Sequence, residues 1–278
     1  MTEITAHHGL LKVTNLHVDD TGGSGRPVVL IHGWPLSGES WKKQVPAFEA
    51  AGYRVITYDR RGFGRSDKPL TGYDYDTFAS DLDAVLTELD LRDVTLVGFS
   101  MGGGEIARYI GTRGEERLHS VVFASAVPPY LEKTDDNPDG PLTKDAAAEM
   151  TAGLTKDEDS FYDEFTTGFF SVDGVLKVSE ADRQDALRLA KQADKAAALE
   201  AMASFANTDF RDDLAKVTVP TLVIHGDGDA TVPYEGSGAR THKAIAGSEL
   251  HVIAGAPHGA NVSDADEFNR VVLAFLAK

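Results

Sequence analysis

The chain has no cysteine, which excludes disulfides, thiolate nucleophiles and cysteine-bound metal centres. That composition suits a reducing compartment, and the expected location is cytoplasmic. Positive charge is scarce: 27 Lys and Arg stand against 44 Asp and Glu, a net charge of −17. Such a surface repels nucleic acid and anionic membranes, so neither is expected as a partner. The surplus carboxylates serve solubility. Long hydrophobic runs are also missing. No stretch reaches the ~20 apolar residues of a membrane helix. The opening Met1-Thr-Glu-Ile-Thr-Ala lacks the basic region and apolar core of a signal peptide. There is no internal repeat, no Gly-x4-Gly-Lys-Ser/Thr phosphate loop, no Cys/His zinc spacing and no His-Glu-x-x-His. Asp227-Gly-Asp229 imitates the start of an EF-hand loop, but Val232 stands where Gly is needed and Gly238 where the closing Glu is needed. Neither a metal nor a cofactor is expected.

What remains is an alternation. The β-branched runs Val28–Ile31, Val55–Tyr58, Val94–Gly98, Val121–Ala124, Thr221–Ile224 and Leu250–Ile253 read as buried strands. Leu11–Val18 reads as an edge or hairpin strand before them. Between the runs lie stripes of helical period: Phe78, Leu82, Val85, Leu86 and Leu89, and later Phe268, Val271, Val272, Phe275 and Leu276. Strands alternating with helices imply an α/β fold, a mostly parallel sheet covered on both faces. The alternation stops between Pro128 and Leu214. There Pro128-Pro129 and Asn137-Pro138 lead into helical patterns, one carrying Phe161, Phe165 and Phe169 and another rich in alanine from Ala186 to Ala206. The expected organisation is a core of residues 1–127 and 215–278 with an inserted helical cap at 128–214.

The densest signal lies in the third run. Val94-Thr-Leu-Val leads directly into Gly98-Phe-Ser100-Met-Gly102, and a helix-compatible stretch follows. Gly-x-Ser-x-Gly between strand and helix marks a nucleophile elbow, which lifts a serine hydroxyl above the sheet. Side chains at the two glycines would collide across so tight a turn. A serine at its ordinary pKa needs a base. His7 and His8 lie near the chain start, and His225 and His251 sit on or beside strands. His258, in the loop Gly255-Ala-Pro-His-Gly259 after the last strand, falls at the same sheet edge as the elbow. The base in turn needs a carboxylate to fix its tautomer. Asp227 and Asp229 both follow the Thr221 strand. Asp227 suits shaping the turn, and Asp229, deeper in the loop, is favoured as the acid.

A developing oxyanion needs donors. Met101 offers its N–H at the positive end of the helix after Ser100. His32-Gly33-Trp34-Pro35 supplies the second, from Trp34, because Pro35 has no N–H. Pro35 also restricts Trp34 and favours a cis bond that would turn the Trp34 carbonyl toward the acyl pocket. His32 is expected to brace this loop through a structural hydrogen bond. Trp34, Pro35, Phe165 and Val232 are the candidate pocket residues.

Longer segments add a resemblance. Tyr58-Asp-Arg-Arg-Gly-Phe-Gly-Arg-Ser-Asp67, Thr71-Gly-Tyr-Asp-Tyr-Asp-Thr-Phe78, Gly98-Phe-Ser-Met-Gly-Gly103 and Ala256-Pro-His-Gly259 resemble the cofactor-free haloperoxidase, aryl esterase and γ-lactamase group of α/β-hydrolases. The resemblance implies that fold, with Ser100 as nucleophile, Asp229 as acid, His258 as base and Trp34 and Met101 as oxyanion donors. It implies hydrolysis of small aryl esters through an acyl-enzyme. It also implies a metal-free haloperoxidase outcome, in which a carboxylic acid and hydrogen peroxide yield a peracid, or opening of a γ-lactam. A homo-oligomer is compatible with it. A binding protein that kept the fold and lost the chemistry is the alternative outside catalysis. Two departures stand out. The stretch from His7 to Val18 lacks the group's Asp-Gly hairpin turn, and Gly259 replaces a bulkier apolar residue after His258, which leaves the pocket wall open to change.

Overall fold

The six apolar runs become adjacent parallel strands in a computed structural model, which describes residues 2–7 and 13–278. Expectations placed on His8, on the side chain of His7 and on Leu11 lie outside the described residues. Strands β1 (Thr2–His7) and β2 (Val13–Asp20) pair antiparallel at one edge. The parallel set comprises β3 (Pro27–Ile31), β4 (Arg54–Tyr58), β5 (Val94–Phe99) and β6 (Leu118–Ala124), followed after an insertion by two more strands. The insertion carries a small hairpin of β7 (Ser171–Val172) and β8 (Val175–Leu176). The sheet then closes with β9 (Thr221–Gly226) and β10 (Glu249–Ile253), giving eight strands in the order β1-β2-β4-β3-β5-β6-β9-β10.

Alternate residues of a strand face opposite ways, and here both faces are covered. Val29 and Ile31 join the cluster under α2 (Tyr75–Glu88) and α3 (Met101–Arg113), with Phe78, Leu82 and Ile106. Val28 and Leu30 join the cluster beneath α1 (Val45–Ala50) and the C-terminal helix, with Trp41, Phe48, Phe268 and Val272. Each large side chain so buried contributes about 1.5–3 kcal/mol. Helix α2 begins where the Asp74 carboxylate accepts from the Thr77 N–H, a side-chain cap worth about 1 kcal/mol.

The order β4-β3-β5 sets where a site can form. The chain leaves β3 toward β4 on one side and returns to β5 on the other. Loops beyond β3 and β5 therefore diverge and leave a crevice at the C-terminal edge of the sheet. Between β6 and β9 come α4 (Lys144–Lys156), α5 (Glu158–Phe169), α6 (Glu180–Ala190), α7 (Lys195–Asn207) and the short α8 (Arg211–Leu214). Helix α5 starts at Asp157, whose carboxylate accepts from the Ser160 N–H. Its Phe161 and Phe165, with Phe205 of α7, pack edge-on around the Trp34 ring at centroid distances of 6.2, 5.1 and 5.9 Å. The inserted helices thus seat on the crevice. After β9 come α9 (Gly238–Ala244), α10 (Ala260–Ser263) and α11 (Ala265–Leu276). No helix among the described residues is long and apolar enough to cross a membrane.

Candidate active site

Ser100 stands between β5 and α3 with φ 54° and ψ −118°. For a residue with a Cβ this conformation costs roughly 1–3 kcal/mol, and the surroundings enforce it. A Cβ at Gly98 would lie 2.5 Å from the Gly102 carbonyl oxygen, and one at Gly102 would lie 2.6 Å from the Ile31 carbonyl oxygen. The Ser100 N–H donates to the Ala124 carbonyl at 2.9 Å, tying the turn to β6. The hydroxyl is held above the strand ends, and the residue is 7% exposed.

Three separated side chains meet at this point. His258 Nε2 lies 3.0 Å from Ser100 Oγ, and its Nδ1 lies 2.7 Å from Asp229 Oδ2. A carboxylate only accepts, so Nδ1 carries the proton and Nε2 is free to take one from the serine. Asp229 Oδ1 accepts from the N–H groups of Thr231 at 2.9 Å and Val232 at 2.7 Å. Burial pushes the Asp229 carboxyl up, but its attraction to His258, the His258 hydrogen bond and the close His225 contact outweigh it and hold it at about 2. Asp227 takes the other course. It accepts from the Gly255 N–H at 2.5 Å and pins the turn that precedes His258. The His258 ring is fixed by Phe99 at 5.0 Å and by Phe169 at 4.9 Å.

The loop after β3 is held from behind. His32 Nε2 accepts from the Arg60 N–H at 2.9 Å, so its proton sits on Nδ1, which donates to the Gly33 carbonyl at 2.8 Å. Burial first, and then the Arg60 charge, lowers His32 to about 3. It therefore stays neutral and keeps this tautomer. The Gly33–Trp34 peptide is trans, so fixing its carbonyl also fixes its N–H on the opposite side. Arg60 donates to the His32 carbonyl at 2.9 Å and to Glu105 of α3 at 2.8 Å, with Arg60 and Glu105 both fully buried. Burial lowers Arg60 to about 10, still a cation at neutral pH. The loop holding Trp34 and the helix holding Met101 are thereby joined by one buried ion pair. Among the described residues neither the Trp34 N–H nor the Met101 N–H meets a protein acceptor.

A cavity of about 470 Å³ opens beside Ser100 and His258. Trp34, Phe165 and Val232 line it, together with Phe161, Phe169 and Phe205. Pro35 does not, contrary to the expectation from sequence. It lies buried in a turn closed by the Leu36 N–H on the Gly33 carbonyl at 3.0 Å, with a cis bond before it, and only the Trp34 ring reaches the cavity. Gly259 also has its reason here. A Cβ there would strike the Phe169 and Phe170 rings, and its N–H donates to the Phe169 carbonyl at 3.0 Å. The wall left thin by glycine is filled from α5. His225 is the partner that sequence reasoning missed: on a strand it reads as a core histidine, yet its Nε2 lies 3.2 Å from Asp229 Oδ2.

This architecture is shared. Residues 26–265 match the model of the alpha/beta hydrolase fold. The chain belongs to that family. Within it, this hydrolase is 44% identical to a non-heme chloroperoxidase of Kitasatospora aureofaciens, over 92% of this chain and 94% of the relative. It is 36% identical to a bifunctional esterase/perhydrolase of Acinetobacter calcoaceticus, over 92% and 94%. A solved bromoperoxidase of Bacillus anthracis superposes on the hydrolase with a TM-score of 0.95 at 51% identity, covering 100% of both chains. The sequence-level resemblance to the haloperoxidase and esterase group is therefore carried by whole-chain similarity.

Proposed function

We propose that Ser100 is the nucleophile of a carboxylic ester hydrolase, with His258 as its base and Asp229 as the acid that orients it. His258 takes the Ser100 proton as Oγ attacks the ester carbonyl. The N–H groups of Met101 and Trp34 receive the oxyanion, and protonated His258 hands the proton to the leaving alcohol. Water then cleaves the acyl-enzyme by the same relay. The observation that carries this reading is the unbroken hydrogen-bond chain from Ser100 through His258 to Asp229, at 3.0 and 2.7 Å, at the mouth of an apolar cavity. Small neutral esters, aryl esters among them, suit that lining. We assign the inserted segment 128–214 the part of a cap over a core of 1–127 and 215–278, and we place the enzyme in the cytoplasm.

Perhydrolysis is the second activity of the same site, and the similarity to an esterase/perhydrolase and to haloperoxidases favours it. Hydrogen peroxide in place of water converts the acyl-enzyme to a peracid and frees Ser100. The peracid then oxidises halide and returns the carboxylic acid. The test is a panel of p-nitrophenyl acetate, a γ-lactam, and acetate with peroxide and bromide, each run beside Ser100→Ala. Ester turnover and acetate-dependent bromination should both vanish in the variant. Bromination without any carboxylic acid would defeat the peracid route, and faster turnover of the lactam than the ester would move the assignment to an amidase.

A further inference from the structure

The Asp229 carboxylate is gripped by two histidines, and the proposed mechanism uses only one. His225 lies near the end of β9 and is 1% exposed. Its Nε2 lies 2.8 Å from the Val232 carbonyl and 3.2 Å from Asp229 Oδ2. Both are acceptors, so Nε2 must carry a proton. The opposite nitrogen has no hydrogen-bond partner among the described residues. It is walled in by Gly238, where a Cβ would sit 2.5 Å from Nδ1, and the Tyr234 ring lies 5.8 Å away. A proton on Nδ1 would be buried without an acceptor. The enclosure thus selects the neutral ring with its proton on Nε2, where it donates to the Val232 carbonyl beside the acid.

Resting on the serine-hydrolase reading, the geometry points to His225 as a positioning residue: its single N–H donates to the Val232 carbonyl and places its positive end 3.2 Å from Asp229 Oδ2, holding Val232 against the cavity and the acid against His258. Three hydrogen bonds then hold the carboxylate, and His225 adds a close polar contact. Thr231 and Val232 donate to Oδ1 and His258 to Oδ2, and His225 Nε2 stands 3.2 Å from Oδ2. The two backbone donors belong to the acid's own loop and move with it. His225 belongs to the sheet, and its side chain ties the acid to the strand that carries the loop. Val232 is held at both its N–H and its carbonyl by this pair, so the acid and part of the cavity wall share one support.

The test compares His225→Leu and His225→Gln on p-nitrophenyl acetate, with Ser100→Ala as background. Leucine fills the volume without a donor, and glutamine restores an N–H at a similar reach. His225→Leu should lower kcat about 10-fold or more, through the loss of the Val232 hydrogen bond and of the polar contact with the charged acid, and His225→Gln should recover most of it. The acid limb of kcat/KM should move to higher pH in the leucine variant, because a carboxylate without that polar N–H beside it holds the His258 proton more tightly. A packing role alone would leave that limb in place and let leucine serve as well as glutamine. A leucine variant with kcat within about twofold of the parent and an unmoved acid limb overturns the proposal. Should that variant not fold, ¹⁵N NMR of the unmodified enzyme decides: a neutral His225 protonated on Nε2 supports the proposal, and protonation on Nδ1 refutes it. Turnover that survives Ser100→Ala would instead fail the hydrolase reading, and the tautomer measurement would still judge His225.

Discussion

Replacing His32 with Leu removes two buried hydrogen bonds and separates the fold's need for this residue from the chemistry's. The Arg60 N–H loses its acceptor and the Gly33 carbonyl loses its donor. An unsatisfied buried donor costs about 1–3 kcal/mol and the second lost bond about 1 kcal/mol. The total, about 2–4 kcal/mol, lowers Tm by roughly 3–7 °C in a chain of this size. The larger interest is the rate. His32 fixes the Gly33 carbonyl and so orients the Trp34 N–H, the proposed oxyanion donor. Losing an oxyanion donor outright costs roughly 10²–10³ in kcat. Here the Leu36 N–H still holds the same carbonyl at 3.0 Å, so the loss should be partial, about 10- to 100-fold in kcat with KM little changed. Steady-state hydrolysis of p-nitrophenyl acetate beside a thermal melt measures both. If Tm falls while kcat stays within about threefold, the link between the buried network and the oxyanion donor is wrong.

The same geometry sets further outcomes. His32 is held at about 3 when folded, against about 6.5 unfolded, so the unfolded chain binds more protons between those values. Its contribution is complete above pH 6.5 and falls by about 1.4 kcal/mol per pH unit on acidification toward pH 3. Denaturant midpoints measured from pH 7 to 4.5 should show that slope, and His32→Leu should lack its share. Asp229→Asn should lower kcat about 10³- to 10⁴-fold through the wrong histidine tautomer. Asp227→Asn should cost far less, and comparable losses would mean that the acid has been misassigned. Gly259→Val should drive the Phe169 and Phe170 rings aside at about 1–3 kcal/mol, seen as a lower melting temperature. Phe165→Ala should enlarge the cavity and shift preference from acetate toward longer acyl esters, read from kcat/KM across a chain-length series.

Features whose physics is local could be read from sequence. The elbow is one, because backbone oxygens on either side leave Gly98 and Gly102 no room for a side chain. The six parallel strands are another, since burial on both faces demands continuous apolar runs. Strand β1 escaped notice because Thr2–His7 alternates, with only Ile4 and Ala6 apolar and buried among its described side chains. Its place in the sheet depends on β2. The β7–β8 hairpin has two-residue strands, too short for any period. Asp173-Gly174, with φ of 51° and 75°, is the one signal that could have revealed it. Pro35 and His225 were misread for a common reason. Pro35 adjoins Trp34 and His225 lies four residues before Asp229, and only tertiary packing decides whether each side chain faces the cavity, the acid or the core.

The central claim is that Ser100 carries the acyl group. Acid-quenched turnover of p-nitrophenyl acetate, digested and read by mass spectrometry, tests it most directly. The account predicts acetyl on the peptide containing Ser100 and none in Ser100→Ala, which should melt like the parent and hydrolyse nothing above background. Acetyl on another residue, or undiminished hydrolysis by Ser100→Ala, would contradict it.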